Sequence, residues 1–409
     1  MKRAGGVLVA LLALAAGVVV YRIRKAVPAV VVVDRPFDQA RGPYPVGTRE
    51  YVWVDSARGE PYTKDTTDRR KLVIQVWYPA TGAAGDTAHY LLHPAEFADE
   101  KGGKAVAKVL TNSVLNAAIA STDSTYPVLV YNHGGFWTRW SGTFATEWLA
   151  SHGYVVFSVE HFGFNQTKLF PDGTPYRTDT LAMPKETGDG KKDALASWAH
   201  LDNPVFRIWE ADTRFTLDRI EEENRNGGPF SGKLDLAKIG MFGWSFGGAL
   251  SVQMSATDRR VKAAVDHDGQ LFGDVRERGT TRPVLQIHHG NDDALEYPEK
   301  DRPVVAELLA LTASWDSMTR MKSTGDWYQV TIAGTEHGNF SDLPLFYPIK
   351  KKDTHPKKAH QIIEAYTLAF FDLYLQGRPT DLLTRATPPF AEATVRAWAG
   401  SAAIAAPAR

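Results

Sequence analysis

Residues 243–247, which read Gly-Trp-Ser-Phe-Gly, constrain the fold of this chain more than any other feature. They follow an apolar run at 239–242 and precede small and apolar residues that can begin a helix. A serine between two glycines at a strand-to-helix turn presents its hydroxyl above the sheet, because the glycines place no Cβ between crowded backbones. The pentapeptide is common by chance, but this strand–turn–helix context, called a nucleophile elbow, predicts that Ser245 is a nucleophile.

Predicted strands and helices alternate along the chain from about residue 45. Runs rich in β-branched and aromatic residues predict strands at 50–54, 72–78, 128–131, 154–159, 239–242, 261–265, 283–287 and 328–332. Apolar residues at helical spacing predict helices between Trp140 and Gly153 and over 206–223, 301–321 and 360–375. This alternation predicts an α/β fold with a mostly parallel central sheet flanked by helices, and catalytic groups beyond the carboxyl ends of its strands.

Two long segments interrupt the alternation, at about 81–126 and 165–203. Connections of this length are uncommon unless they form lids or binding loops, so both are predicted to be lid-like insertions, the first with a helix around 105–118. The catalytic domain is predicted to span 45–395. A linker at 26–44 precedes it, and a flexible, Ala- and Pro-rich tail at 396–409 follows it.

The first 25 residues have the pattern of a membrane anchor. Lys2 and Arg3 precede an uncharged stretch at 4–21, whose eighteen residues just reach the span of a bilayer core, and basic residues follow it. A cleaved signal peptide is the alternative, with an Ala-Leu-Ala site at 13–15. The uncleaved anchor is favoured, because cleavage there would leave an exposed apolar start. We therefore expect a membrane-anchored or exported protein. A domain outside the cytoplasm is favoured, although the basic residues flank both ends of the stretch almost equally and do not set its orientation.

The composition excludes several classes of function. Lysine plus arginine equals aspartate plus glutamate, 47 of each, so no overall positive charge recruits nucleic acid. The chain has no cysteine, which excludes disulfides, thiolate metal sites and a cysteine nucleophile. Nucleotide-binding and metal-binding motifs are also absent from the sequence. We therefore expect neither a cofactor nor a metal.

His337 is the candidate catalytic base. A serine hydroxyl is a weak nucleophile, so an imidazole must accept its proton and a carboxylate must hold that imidazole in one tautomer. His337 lies in the loop after the predicted strand 328–332, which fits the chain order serine, acid, histidine. His288 and His289 also end a strand, but they come one strand too early in this order.

The sequence pattern leaves the acid open among several aspartates. Asp268 ends the strand that follows the elbow helix, and Asp266 lies two positions earlier on the same strand. Asp292 and Asp293 end the next strand, where many α/β enzymes with a serine nucleophile place this residue. Position alone does not decide among them.

The loop after the strand 128–131 is the candidate for one half of an oxyanion hole. It reads Asn-His-Gly-Gly-Phe over 132–136, close to the H-G-G type that supplies a backbone N–H group. The residue after the nucleophile supplies the second such group. We predict that Gly135 and Phe246 are the two donors, and that His133 packs behind the loop.

Separated blocks of the chain resemble one known family. The blocks are 75–80, 131–136, 148–154, 159–161, 243–248, 260–269 and 334–342, and they resemble the plasma and isoform II type of platelet-activating-factor acetylhydrolase. The resemblance covers about 45–375 and implies an α/β-hydrolase fold. It also implies that the acid follows the strand after the elbow, which favours Asp268 over Asp293. One departure is Trp244, where the animal enzymes carry histidine.

The resemblance implies a serine ester hydrolase that cleaves short or oxidised sn-2 acyl chains from glycerophospholipids without calcium. The catalytic residues would be Ser245, Asp268 and His337, working through an acyl-enzyme. The alternative is a general carboxylesterase or polyester hydrolase, which has the same triad and no preference for lipid. A third interpretation is a non-catalytic binding protein on the same scaffold.

Overall fold

The computed structural model describes residues 35–39, 42–82, 84–97, 103–121, 125–177, 183–185, 187–291, 299, 302–346 and 354–400. The predicted anchor or signal segment, residues 1–25, lies outside these ranges. None of the helices within them is long and apolar enough to cross a membrane.

One sheet of eleven strands runs through the described part of the chain. The strands are β1 (Val46–Gly59), β2 (Arg69–Pro79), β3 (Thr87–His89), β4 (Leu110–Leu115), β5 (Tyr126–Asn132), β6 (Val155–Glu160), β7 (Leu234–Trp244), β8 (Val261–His267), β9 (Val284–His289), β10 (Trp327–Ile332) and β11 (Ala393–Trp398). Their order across the sheet is β11-β10-β9-β8-β7-β5-β6-β2-β1-β4-β3. The six strands from β10 to β6 are parallel, and β11 and β2 flank them antiparallel. The predicted α/β fold with a mostly parallel sheet is confirmed.

Helices cover both faces of this sheet. They are α1 (Gly103–Val106), α2 (Thr143–Ser151), α3 (Gly190–His200), α4 (Phe206–Arg225), α5 (Phe246–Thr257), α6 (Val275–Arg278), α7 (Arg302–Lys322) and α8 (Pro356–Gln376). Alternate side chains of a strand point to opposite faces, so β5 contributes to two separate apolar cores. Leu129 and Tyr131 pack in the core that includes α8, whereas Val128 and Val130 pack in the core that includes α4.

The parallel register brings the candidate site residues to one edge of the sheet. Asn132, the last residue of β5, pairs with Gly243 of β7, and Trp244 pairs with His267 of β8. The carboxyl ends of these strands therefore lie side by side. Ser245 follows the end of β7, and Asp268 follows the end of β8.

The helix predicted around 105–118 is wrong. Only the short α1 forms there, and the following residues make strand β4, in which Val114 pairs with Gly47 of β1. The buried carboxylate of Glu147 explains this, since it accepts hydrogen bonds from the Asn112 backbone at 2.9 Å and from the Ser113 hydroxyl. These tertiary bonds stabilise an extended backbone that the local sequence pattern does not reveal.

The predicted start of the tail at 396 is also wrong, because β11 continues to Trp398. This strand pairs with β10 along its length, from Ile332 opposite Ala393 to Trp327 opposite Trp398. The Arg320 guanidinium lies over the Trp398 ring at 4.1 Å. Cross-strand pairing and this cation–π contact hold a segment whose Ala-rich sequence suggests fraying.

A buried ion pair joins the sheet to α4. Arg70 of β2 donates to both carboxylate oxygens of Asp212, from Nε at 3.0 Å and from its terminal nitrogen at 2.6 Å. Burial raises the pKa of the Asp212 carboxyl, but Arg70 and His161 outweigh burial and hold that pKa below its usual range. The charged pair therefore persists in the core beside β6.

Candidate active site

Ser245 lies at a sharp turn between β7 and α5. Its backbone has φ 59° and ψ −121°, in the left-handed half of conformational space that side chains with a Cβ rarely adopt. The Ser245 N–H donates to the carbonyl of His267 at 2.8 Å, and the Ser245 carbonyl accepts from Ala249 at 3.0 Å. These bonds from β8 and α5 hold the strained residue in place, as a nucleophile elbow requires.

The glycines on either side of Ser245 leave no space for a side chain. A Cβ added to Gly247 would lie 2.1 Å from the carbonyl oxygen of Asn132, and one added to Gly243 would lie 2.4 Å from the carbonyl carbon of Gly247. Both distances are far below van der Waals contact. The end of β5 therefore touches the elbow backbone directly, and only glycine fits there.

Asp268 and His337 are hydrogen-bonded to each other. His337 begins a short helical turn, His337–Phe340, after β10, and its Nδ1 lies 2.6 Å from Asp268 Oδ2. The Trp244 indole N–H, next to the elbow serine, donates to the His337 carbonyl at 3.1 Å. The structure thus places the predicted acid against the predicted base and ties the base to the elbow.

A second histidine, His289, binds the same carboxylate, although the sequence analysis set it aside because it ends an earlier strand. His289 Nδ1 lies 2.7 Å from Asp268 Oδ2, and the His289 backbone N–H donates to Oδ1 at 3.0 Å. Burial raises the pKa of the Asp268 carboxyl, but His289, His288 and His337 outweigh burial and hold it well below the usual range. Asp268 is therefore a carboxylate that accepts from both imidazoles. The sequence could have indicated this contact, because β8 and β9 are neighbouring parallel strands and their carboxyl ends lie side by side.

The rival acids lie elsewhere or outside the described residues. Asp266 is buried under the elbow, where it accepts from Gly269 N–H at 2.8 Å and Gln286 Nε2 at 3.3 Å. Burial raises the pKa of the Asp266 carboxyl to about 6. Asp292 and Asp293 fall outside the described ranges, so the preference for Asp268 over Asp293 stays a prediction.

The glycine-rich loop after β5 lies next to the elbow. Phe136 N–H donates at 2.9 Å to the carbonyl of Phe164, which lies in the segment after β6, so this amide is already satisfied. A Cβ on Gly134 would lie 2.9 Å from the Trp244 ring, and one on Gly135 would lie 2.7 Å from the Phe164 ring. Gly135 and Phe246, the first residue of α5, stay the predicted oxyanion donors.

His133 packs behind this loop. Its Nε2 accepts the backbone N–H of His161 at 3.1 Å, so we assign the ring proton to Nδ1, which donates to the Gly134 carbonyl at 2.7 Å. Burial lowers the pKa of His133 to about 4. The imidazole is therefore neutral at physiological pH and holds the loop backbone from within.

A cavity of about 500 Å³ lies beside the Asp268–His337 pair. Its wall is largely polar and draws on β9, α7, β10, β11 and the segment that follows β8. The side chains that matter here are Asp268, His289, His337, Gln286, Asp316 and Arg320. Within the described residues, the one group of three side chains placed to hold a metal is Asp268, His289 and His337, whose ligand atoms lie within 4.8 Å of one another.

Comparison with known proteins identifies a family. The family profile described as platelet-activating factor acetylhydrolase, isoform II, matches residues 31–164 and 222–378. These two stretches contain Gly135, Ser245, Asp268 and His337. The profile thus covers well over half of the chain and all the candidate catalytic residues.

Curated relatives carry related names. A probable 1-alkyl-2-acetylglycerophosphocholine esterase of Arthroderma benhamiae is 23% identical over 63% of this chain and 62% of the relative. A platelet-activating factor acetylhydrolase of Bos taurus is 24% identical over 54% of this chain and 49% of the relative. That of Cavia porcellus is 23% identical over 45% and 47%. The chain thus spans about half the length of the curated relatives it matches.

A solved structure shares the fold over nearly the whole chain. A ferulic acid esterase from Streptomyces cinnamoneus superimposes with a TM-score of 0.68 at 25% sequence identity. The match covers 89% of this chain and 99% of the esterase. The α/β-hydrolase fold implied by the sequence resemblance is confirmed.

Substituting Asp266 should change the pH dependence of stability. Its pKa is about 6 in the folded state against an ordinary value of 3.8, so the folded state retains this proton between those values while the unfolded state loses it. Above about pH 6 the fold holds a buried carboxylate, at a cost of up to about 3 kcal/mol. Asp266→Asn does not titrate. We expect it to gain up to that amount relative to wild type between pH 4 and pH 7, by urea unfolding.

The exposed Asp218 provides a matched control, since it lies on the surface with 65% of its side chain accessible. Asp218→Asn removes a surface ion pair with Arg260 and should not reproduce the stability gain of Asp266→Asn. A stability difference between Asp266→Asn and wild type that is the same at both pH values would contradict the buried, protonated state.

Proposed function

Because the chain belongs to the platelet-activating factor acetylhydrolase isoform II family, we propose that it is a serine ester hydrolase acting on phospholipids. The proposed reaction removes short or oxidised sn-2 acyl chains from glycerophospholipids. One observation carries this proposal: the Asp268–His337 hydrogen bond of 2.6 Å lies beside a strained serine elbow in a member of this family.

The proposed reaction uses the three side chains in turn. Ser245 Oγ attacks the ester carbonyl carbon while His337 Nε2 accepts its proton, and Asp268 holds the Nδ1–H that fixes the tautomer. The N–H groups of Gly135 and Phe246 stabilise the tetrahedral oxyanion. His337 then protonates the departing alcohol, which leaves an acyl-enzyme. Water repeats the sequence and releases the acid.

The proposed substrate class follows the names of the relatives, which refer to the acetyl ester of an alkyl-glycerophosphocholine. A general carboxylesterase or polyester hydrolase is the second candidate. The likeness to a ferulic acid esterase favours this second candidate. That structural match covers 89% of this chain, whereas the match to the Arthroderma benhamiae relative covers 63%. Both candidates use the same triad, so only the substrate distinguishes them.

We further propose that residues 1–25 hold the enzyme at a membrane surface, with the catalytic domain outside the cytoplasm. The support is the basic, apolar, basic pattern of this segment. When membranes are washed with alkaline carbonate, the full-length protein should stay in the membrane fraction. Complete release into the soluble fraction would exclude an uncleaved anchor.

A series of phosphatidylcholines that differ only in sn-2 chain length distinguishes the two candidates. With a chelator present, we expect turnover of the acetyl and short-chain lipids to exceed that of long-chain lipids. Ser245→Ala should reduce turnover by about a million-fold, since it removes the nucleophile. Hydrolysis confined to small soluble esters would support the general esterase instead.

The acid assignment has its own test. Asp268→Asn should lower kcat by about ten thousand-fold, because an amide can present its N–H to His337 Nδ1 and stabilise the wrong tautomer. Asp266→Asn and Asp293→Asn should each retain most activity. If Asp293→Asn is the severely impaired variant, the acid lies after β9 and the assignment of Asp268 is wrong.

A further inference from the structure

The Asp268 carboxylate is shared by two imidazoles, although a serine triad requires only one. His337 Nδ1 and His289 Nδ1 lie 2.6 Å and 2.7 Å from the same oxygen, Oδ2. We propose that Asp268, His289 and His337 together form a binding site for Zn²⁺, and that the bound ion inhibits the enzyme.

The three donors match what zinc prefers. One carboxylate oxygen and two imidazole nitrogens form the ligand set of an open zinc site, with the fourth position left to water. Zinc lies about 2.0–2.2 Å from such atoms, which separates tetrahedral ligands by about 3.3 Å. From 2.6 Å and 2.7 Å, the His337 and His289 nitrogens must therefore move about 0.7 Å and 0.6 Å away from Oδ2. The ion then replaces the two hydrogen bonds with three coordinate bonds, and each histidine carries its ring proton on Nε2 instead of Nδ1.

The site can be reached from outside the protein core. All three side chains line the cavity of about 500 Å³, which also supplies room for the water ligand. His289 is the last residue of β9, where it pairs with Ile332 of β10, and 15% of its side chain is exposed. The His289 ring lines the cavity, and the shift that zinc requires lies in its side-chain torsions, so the paired strand backbone can stay in place.

Zinc at this position would stop catalysis through the His337 tautomer. In the active arrangement the ring proton is on Nδ1, and the Nε2 lone pair is the base. Zinc takes the Nδ1 lone pair, so the proton that was on Nδ1 passes through solvent to Nε2, and the ring stays neutral overall. An Nε2 that carries a proton has no lone pair to accept the proton of Ser245. Inhibition rests on the proposed function, whereas zinc binding does not.

Calorimetric titration with Zn²⁺ tests the binding. The protein used is full-length Ser245→Ala, in which all three proposed ligands are intact and no turnover occurs. We expect one site with a micromolar or tighter Kd, weakened at least tenfold by a further His289→Gln change. His89→Gln is the matched control, because His89 is exposed on β3, and it should leave binding unchanged. Absence of binding below millimolar Zn²⁺, or equal binding with and without His289, would overturn the site.

The inhibition is tested with the serine intact. Zn²⁺ should slow ester turnover, a chelator should restore it, and His289→Gln should require at least tenfold more Zn²⁺ for half inhibition. Zinc that binds without slowing turnover would overturn the inhibitory role. A protein that binds zinc but never hydrolyses esters would instead refute the proposed function and leave the metal site standing.

A spectroscopic measurement covers the case in which the His289 variant does not fold. Co²⁺ bound to the Ser245→Ala protein should give the intense visible d–d absorption of a four-coordinate site. Only the weak absorption of hydrated, six-coordinate Co²⁺ would overturn the proposal, without any need for the variant.

Discussion

The backbone contact between the end of β5 and the elbow is the constraint on which the rest of the site depends. Gly247 approaches Asn132 so closely that a methyl group would overlap the Asn132 carbonyl. Because of this approach, the glycine-rich loop after β5 lies beside the first turn of α5, and the two proposed oxyanion donors share one edge of the sheet. Trp244 continues the same chain of contacts by binding the His337 carbonyl. The elbow thus positions both the loop and the base.

Buried polar contacts support that edge from behind. Asn132 Oδ1 lies 3.1 Å from His161 Nε2, and His161 Nδ1 lies 3.2 Å from Asp212, which Arg70 holds in turn. The His161 backbone donates to His133 inside the loop. These contacts link β2, β6 and α4 to the loop after β5. Moving any one of these elements would break a buried hydrogen bond and leave a charge or a donor unsatisfied, which costs free energy.

The residues with local signals could be predicted from the sequence, and those with nonlocal causes could not. The flanking glycines indicate Ser245, and the position after the last parallel strand indicates His337. The structure places His337 against Asp268. Strand β4 forms because a distant carboxylate, Glu147, binds its backbone, and no neighbouring residue indicates this. His289 was set aside for the strand it ends, although its contact with Asp268 arises from the pairing of β8 with β9.

The position of Asp268 depends on the strand next to the one that it follows. The Asp268 backbone N–H donates to the Ile287 carbonyl at 2.8 Å, and its Oδ1 accepts the N–H of His289. Strand β9 therefore fixes both the main chain and the side chain of a residue that follows β8. A change in the backbone at 287–289 therefore moves the carboxylate as directly as a change beside it. Substitutions at 287–289 that shift this backbone should therefore displace the carboxylate even when residue 268 is unchanged.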